Sequence, residues 1–277
     1  MKATDPSFKF KIGRKPPSGL RLVKTNCDGS DIFVDINDHI GHQVFTRGSF
    51  DKAIYNFFRV NKLKNITVFD IGANIGTVCI PLAQLNDVKV VAFEPADRNY
   101  SLLVLNNYIN GNKLTTIPIG ISNNIHHTVE VLQLNVNKVN SGSSSLLPTW
   151  NVNRGDVLYQ NILVSEMDTL SDLYQLSKPN IIKLDIEGNE LNALFSMRSV
   201  LDEKVILLME WRPDLIDEST GSALLEFFAD YKIMCLHASG LISDSFDEKQ
   251  KYENVLIIHT CNDTLKNLKS VSKETLS

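Results

Sequence analysis

The chain has few of the features that mark several protein classes. Its four cysteines, Cys27, Cys79, Cys235 and Cys261, are far apart and form no CxxC pair, so no structural zinc site is indicated. No apolar run reaches the roughly 18 residues that a membrane span needs. Residues 1–20 contain no apolar core of signal-peptide length. We therefore expect a cytoplasmic protein with free thiols and no membrane span.

The chain also lacks a strong charge of either sign. Lys and Arg total 28, Asp and Glu total 32, and the formal net charge is −4. A chain-wide field that attracts nucleic acid is not expected, although the basic residues 1–24 form either a local patch or a solvated tail. With 43% apolar and 22% charged residues, the composition excludes disordered, collagen-like and disulfide-scaffold chains.

Short apolar runs alternate with segments of helical spacing from residue 66 onward. Fully apolar strands separated by helices are typical of a parallel sheet that is covered on both faces. The last two runs have no clear helix between them, so we expect antiparallel pairing at the sheet edge. The predicted strands are 66–70, 88–94, 114–120, 181–188, 205–210, 232–237 and 254–259.

Three regions of the chain depart from this rhythm. Residues 1–60 are predicted to form an N-terminal lead-in or cap, with a strand at 31–37 and a helix at 50–60. The main domain is predicted over 61–262, with a C-terminal tail at 263–277. An insertion at about 123–160 contains a strand and a serine-rich loop at 140–147, and such loops often cover sites in α/β folds.

The most informative segment is DIGANIG at 70–76, where a predicted strand leads into a glycine-containing turn and a helix. Ligands bind at the carboxyl ends of strands in open parallel sheets, and Gly72 and Gly76 let the backbone approach a ligand closely. The pattern differs from the dinucleotide fingerprint GxGxxG, since Asp70 would repel a pyrophosphate. A carboxylate at this place suits a ligand that carries an ammonium or sulfonium charge.

Further charged residues stand at the ends of other predicted strands. Glu94 ends the next strand, where an acid accepts hydrogen bonds from two ribose hydroxyls on doubly wound sheets. Lys183, Asp185 and Glu187 alternate, and alternate residues of an extended strand share a face. Three charges on a buried strand are costly unless paired, so they indicate either an ion-pair network or a site.

Glu210 ends the strand that follows, so we expect Asp185 and Glu210 to face the same crevice. A group of carboxylates can hold a divalent cation. No histidine is spaced to join this group, and we predict no metal.

These motifs together resemble the FkbM family of S-adenosylmethionine-dependent methyltransferases, which have the class I methyltransferase fold. The resemblance implies an α/β, Rossmann-like, doubly wound sheet of seven mostly parallel strands with an antiparallel edge hairpin. It also implies S-adenosyl-L-methionine as the cofactor. The matching segments are VFDIGANIG (68–76), AFEPADRNYSLLVLNNYING (92–111), IIKLDIEGNE (181–190), which is the most specific to the family, and LLMEWRP (207–213).

The resemblance also implies which residues contact the cofactor. Glu94 would bind the ribose, and Ser122 would lie on the adenine side. The methionine end would be held by Asp70, Gly72, Asn74 and Gly76.

The implied reaction is transfer of a methyl group to a hydroxyl. A carboxylate within hydrogen-bond reach takes the hydroxyl proton as the transfer proceeds. Asp185 is the predicted base, with Glu187 or Glu210 as the alternative, and Lys183 keeps Asp185 ionised by proximity.

Members of the family are associated with O-methylation of sugars and secondary metabolites, so a small-molecule or glycan hydroxyl is the expected acceptor. Two other interpretations stay open. A nucleic-acid 2′-O-methyltransferase would use the basic N-terminal arm, but the carboxylates of the predicted site repel a phosphate backbone. A methyltransferase-fold binding module that has lost catalysis is the other, and the intact motifs argue against it.

Overall fold

A computed structural model of the chain describes residues 19–123, 129–147, 157–214 and 216–271. The start of the predicted lead-in, two parts of the predicted insertion and the end of the predicted tail lie outside these ranges. The strands are β1 Leu20–Lys24, β2 Asp31–Asp35, β3 Ile66–Ile71, β4 Val88–Phe93, β5 Leu114–Ile117, β6 Gly120–Ile121, β7 Glu130–Asn137, β8 Val157–Ser165, β9 Ile181–Leu184, β10 Ile206–Trp211, β11 Tyr231–Leu236, β12 Ile242–Ser243 and β13 Tyr252–His259.

The helices are short. None of the described helices is long and apolar enough to cross a lipid bilayer. They are α1 His39–Arg47, α2 Lys52–Val60, α3 Cys79–Ala83, α4 Asp97–Ile109, α5 Met167–Leu173, α6 Glu190–Phe195 and α7 Glu218–Phe227, with 3₁₀ turns at Ser141–Ser143 and Asp263–Asn267.

The main sheet has the strand order β12-β11-β13-β10-β9-β3-β4-β5. Its strands from β5 to β10 are parallel neighbours, and β13 runs antiparallel between β10 and β11. The predicted fold class, a mostly parallel α/β sheet with an antiparallel edge, is confirmed. The sheet has one strand more than the seven predicted, because β12 contains only two residues and two residues show no periodicity.

Alternate side chains of the central strands enter two separate cores. Val68 of β3 packs in the core that also contains Phe57 of α2 and Leu103 of α4. Phe69, the next residue, packs on the opposite face with Leu170 of α5. Since both faces are covered, the carboxyl ends of the strands are the part of the sheet left for a ligand.

The N-terminal segment has more regular structure than the sequence indicated. The predicted strand and helix correspond to β2 and α2, and β1 pairs antiparallel with β2. Helix α1, with the nine residues HIGHQVFTR, was not predicted from the sequence. Gly41 in α1 has a packing reason, since a Cβ atom there would lie 2.0 Å from the Asp35 carbonyl oxygen.

The insertion builds a second sheet. Strands β6, β8 and β7 form a three-stranded sheet in that order, separate from the main one. The apolar run at 114–120, predicted as one strand, is therefore divided: β5 joins the main sheet and β6 pairs with β8. Pro118 lies between the two strands, and proline has no N–H to continue a ladder.

The predicted C-terminal tail is packed against the domain as far as residue 271. Lys269 N donates to Asn61 Oδ1 at 2.8 Å. Val271 N donates to the Ile242 carbonyl oxygen at 2.9 Å. This part of the chain therefore continues the fold instead of fraying from it.

Candidate active site

A cavity of about 690 Å³ lies at the carboxyl ends of the central strands. Its walls come from these strand ends, from the N-terminal segment around α1 and α2, and from the serine-rich loop. Of the predicted site residues within the described ranges, Asp70, Gly76 and Ser122 do not line the cavity. Those that do are Gly72, Asn74, Glu94, Lys183, Asp185, Glu187 and Glu210.

The two glycines of the turn after β3 have different surroundings. Gly72 has a φ of +83°, and a Cβ atom there would lie 1.9 Å from the Asp185 carbonyl oxygen. At Gly76, where φ is +90°, a Cβ atom would lie 2.8 Å from Ile80 Cγ1 and 2.9 Å from Leu103 Cδ1. Both positions therefore need glycine for packing, and only Gly72 also presents its backbone to the cavity.

Glu94 links the turn after β3 to the turn after β4. Its Oε2 accepts a hydrogen bond from Asn74 N at 2.8 Å, and its Oε1 accepts one from Ala96 N at 2.9 Å. Burial raises the pKa of Glu94 to about 7, although these two hydrogen bonds act in the opposite direction. Each carboxylate oxygen can accept a second hydrogen bond, so Glu94 keeps acceptor capacity toward the cavity.

Lys183 lies at the centre of a buried charge network. Its Nζ is 3.3 Å from Asp70 Oδ1, 3.3 Å from Asp185 Oδ2 and 3.4 Å from the Gly72 carbonyl oxygen. Burial works against the ammonium, but the carboxylates of Asp70, Asp185 and Asp51 outweigh it and raise the pKa of Lys183 above its usual range. Asp70 is fully buried behind Lys183, which explains why it does not reach the cavity.

Glu187 reaches the cavity through a turn. Strand β9 ends at Leu184, so the strand alternation predicted as far as Glu187 stops early. Glu187 has a left-handed φ of 56°. Two contacts hold this turn: Ser145 Oγ donates to the Glu187 carbonyl oxygen at 2.7 Å, and Glu190 Oε1 accepts from Gly188 N at 3.2 Å.

Three carboxylates meet beside this turn. Oxygens of Asp185, Glu187 and Glu210 all lie within 4.8 Å of one another. Burial, followed by the charges of Asp185 and Glu210, raises the pKa of Glu187 to about 9. Burial and Asp185 raise the pKa of Glu210 to about 7, against the effect of Arg212, whose Nη1 is 3.2 Å from Glu210 Oε1. Such a cluster offers both hydrogen-bond donors and acceptors, and the prediction that it holds no metal stays a prediction.

The serine-rich loop contacts both the N-terminal segment and the turn after β3. Ser141 N donates to Asp38 Oδ2 at 2.6 Å, and Asp38 also caps α1. Asn74 Nδ2 is 3.5 Å from Ser141 Oγ, which connects the loop to the turn after β3. The serine-rich loop therefore forms part of the cavity wall.

Asp51 is a cavity residue that sequence reasoning missed. It lies directly before α2, lines the cavity and accepts a hydrogen bond from Asn254 Nδ2 at 3.2 Å. Burial, followed by the charge of Asp185, raises the pKa of Asp51 to about 7. An Asp before a helix indicates a cap in the sequence. Only the structure shows that its side chain lines the cavity.

Several solved structures resemble the chain at low sequence identity. M. jannaschii TYW2 in complex with AdoMet is 14% identical, with a TM-score of 0.46 over 88% of this chain and 86% of that one. The M. jannaschii tRNA m1G37 methyltransferase is 14% identical, with a TM-score of 0.45 over 89% and 58%. An O-methyltransferase from Bacillus cereus in complex with SAH is 10% identical, with a TM-score of 0.44 over 76% and 82%. No curated protein shows significant similarity to the chain.

The sequence profile of the methyltransferase FkbM domain matches residues 70–233, which is more than half of the chain. The match begins at Asp70 and contains Glu94, Lys183, Asp185 and Glu210. It confirms the family and the cofactor class expected from the sequence. The chain belongs to the FkbM family of S-adenosylmethionine-dependent methyltransferases.

Proposed function

We propose that this protein methylates a hydroxyl group of a small-molecule or glycan acceptor. The observation that carries the proposal is the position of Asp185. Its carboxylate lines the cavity at the end of β9, 3.3 Å from the Lys183 ammonium, and its carbonyl oxygen lies against Gly72 of the turn after β3. A proton acceptor therefore stands directly beside the segment that the family uses for its cofactor.

The residues around the cavity fit S-adenosylmethionine. Gly72 and Asn74 would face the methionine end, and Glu94 has acceptor capacity left for ribose hydroxyls. The apolar residues Ile119 and Ile162 line the same cavity and suit an adenine ring. When bound, the cofactor supplies a methyl group that is made electrophilic by a positively charged sulfur.

The side chains at the end of β9 would prepare the acceptor. An alcohol is a weak nucleophile until its proton is removed. In the proposed reaction a carboxylate oxygen of Asp185 accepts a hydrogen bond from the acceptor hydroxyl and takes its proton. Lys183 pairs with that carboxylate at 3.3 Å. Glu187, whose pKa is raised to about 9, donates a hydrogen bond to a second acceptor oxygen.

The polar character of the cavity supports a hydroxyl-rich acceptor. His39, Gln43 and Asn254 line it with hydrogen-bonding groups, next to the carboxylates of Asp51 and Glu210. Hydroxyl groups can both donate to and accept from such side chains. Acidic residues outnumber basic ones in the cavity lining by six to four, which disfavours a phosphate backbone and makes a nucleic acid the weaker candidate.

Calorimetric titration with S-adenosylmethionine and S-adenosylhomocysteine, with NAD as the control, tests the cofactor. We expect micromolar dissociation constants, which correspond to about −8 kcal/mol, and no binding of NAD. Absence of binding by folded, cofactor-free protein would overturn the proposal.

A labelled methyl donor then tests the acceptor class. We expect label to enter members of a panel of methyl glycosides of hexoses and 6-deoxyhexoses, and to leave RNA unlabelled. Label that enters RNA and none of the glycosides would replace the glycan proposal with the nucleic-acid alternative.

A further inference from the structure

Asp51 brings a further carboxylate to the cavity from outside the family-matched residues 70–233. An Asp at the start of a helix usually caps it through its side chain. Within the described residues, Asp51 makes no such capping bond to α2. Its Oδ1 instead accepts from Asn254 Nδ2 of β13, at 3.2 Å, and the carboxylate is held at the cavity wall.

The backbone of Asp51 supports a role in the site. Its φ of 51° and ψ of 39° are left-handed, a conformation that favours glycine and asparagine. Such residues persist where their surroundings hold them, and they cluster at ligand sites. Here α2 is fixed to the loop after β11: Asn56 Nδ2 donates to the Ala238 carbonyl oxygen at 2.8 Å, and a Cβ atom at Gly240 would lie 2.3 Å from the Asn56 carbonyl carbon.

The charges around Asp51 favour a ligand that donates hydrogen bonds. Asp185 is the charge that acts most strongly on it, with Lys183 and Glu253 as the other charged neighbours and Asn254 as the neutral one. Two carboxylates facing one cavity repel each other. A ligand that donates a hydrogen bond to each of them relieves that repulsion, and a polyhydroxylated molecule can do so.

We propose that Asp51 is a positioning residue of the acceptor site, whose carboxylate accepts a hydrogen bond from a second hydroxyl of the acceptor. This inference rests on the proposed function, in which Asp185 meets the reacting hydroxyl. It narrows the substrate class to acceptors with at least two free hydroxyls, and it assigns recognition of the second hydroxyl to the N-terminal segment.

The test compares Asp51→Asn and Asp51→Gly with the wild type. Both new residues tolerate the left-handed backbone, so we expect unfolding midpoints no lower than that of the wild type. Asp217→Asn is the matched control, because Asp217 stands at the start of α7, caps it and is not among the cavity residues described above.

We expect the two Asp51 variants to bind S-adenosylhomocysteine within twofold of the wild type in calorimetry. With a methyl glycoside that the wild type methylates, Asp51→Gly should raise the acceptor KM at least tenfold and lower kcat less than threefold. Asp51→Asn, which keeps an acceptor oxygen, should lie between the two. One monodeoxy form of that glycoside lacks the hydroxyl that Asp51 binds. With this form, the wild type should show the raised KM, and Asp51→Gly should raise the KM no further.

Three outcomes would overturn the inference. A tenfold loss of S-adenosylhomocysteine affinity would assign Asp51 to the cofactor. An unchanged acceptor KM would reject its role in the acceptor site and leave the proposed function standing. Wild-type protein that binds S-adenosylhomocysteine but methylates no glycoside of the panel would reject the proposed glycan acceptor and this inference together.

Discussion

The strand ends and the segments that cover them contribute to the cavity in different ways. Lys183 and Asp185 at the end of β9 and Glu94 at the end of β4 lie on either side of β3 in one sheet. Buried ion pairs and backbone hydrogen bonds connect them to Asp70 and to the turn after β3. The covering segments, which are residues 38–54 and 140–147, reach the cavity through single polar contacts between distant parts of the chain, such as Ser141 to Asp38.

This difference suggests that the two regions have different functions. In the proposed function, the family-matched strand ends would hold the methyl donor and supply the base Asp185, and a buried network makes them costly to alter. In the same proposal, the covering segments would contact the acceptor, and each of their hydrogen bonds is worth about 1 kcal/mol. We therefore expect strand-end substitutions to cost stability or turnover, and covering-segment substitutions to change acceptor recognition.

The largest expected effect tests the buried network. Lys183→Met would leave the fully buried Asp70 without its ammonium partner, and breaking a buried ion pair in this way costs about 3–5 kcal/mol. Urea denaturation at pH 7 measures the loss in the free energy of unfolding. Adding Asp70→Asn to Lys183→Met should recover part of the loss. If Lys183→Met were as stable as the wild type, the strand ends would be no more costly to alter than the covering segments.

The next effect separates chemistry from cofactor binding. Asp185→Asn should lower turnover by about a hundredfold or more, because general-base catalysis contributes that much, and leave S-adenosylhomocysteine affinity within threefold. Asp244→Asn is the control, since Asp244 pairs with Lys232 and is exposed. If turnover and affinity fell equally in Asp185→Asn, a structural or cofactor-binding role would replace the proposed base.

Glu187 lies in the turn between the two regions and gives a pH-dependent effect. Burial raises the pKa of Glu187 from its ordinary 4.5 to about 9, so the folded state keeps a proton that the unfolded state releases between these values. Stability contributed by this residue therefore falls as pH rises through that window. Glu187→Gln should raise the free energy of unfolding by up to about 5 kcal/mol at pH 8 and have almost no effect near pH 4.5. An equal gain at both pH values would contradict the proposed protonation.

The smallest effect probes the link between the serine-rich loop and that turn. Ser145→Ala removes the hydrogen bond to the Glu187 carbonyl oxygen and the one accepted from Leu147 N, and it should lower the free energy of unfolding by about 1–2 kcal/mol. Hydrogen exchange of the Gly188 amide should become faster. Ser144→Ala is the matched control, because Ser144 Oγ donates to the Ser141 carbonyl oxygen and accepts from Asn137 N, and neither residue belongs to the turn at Glu187. Equal exchange in both variants would argue against the link.

The sequence predicted the strand ends well and the covering segments poorly, for a physical reason. Strands such as β3 and β4 are apolar on both faces, so their positions follow from local pattern, and the acids that end them stand out. The pairing of β6 with β8 depends on residues far apart in the chain, which no local pattern contains.

Two site residues show the same limit. Glu187 was placed on a strand face, whereas a left-handed turn held by Ser145 brings it to the cavity. Asp51 has the sequence signature of a helix cap, and its contact with Asn254 depends on tertiary packing.

The contact between Gly72 and the Asp185 backbone couples the position of the cofactor turn to the position of the proposed base. Any side chain at position 72 would collide with the Asp185 carbonyl oxygen, 1.9 Å from the position of its Cβ atom. A change there would displace the proposed base and the cofactor turn at the same time. Attempts to change the acceptor specificity should therefore vary residues 49–54 and 251–254. Substitutions there leave the turn after β3 and the Asp185 backbone unchanged.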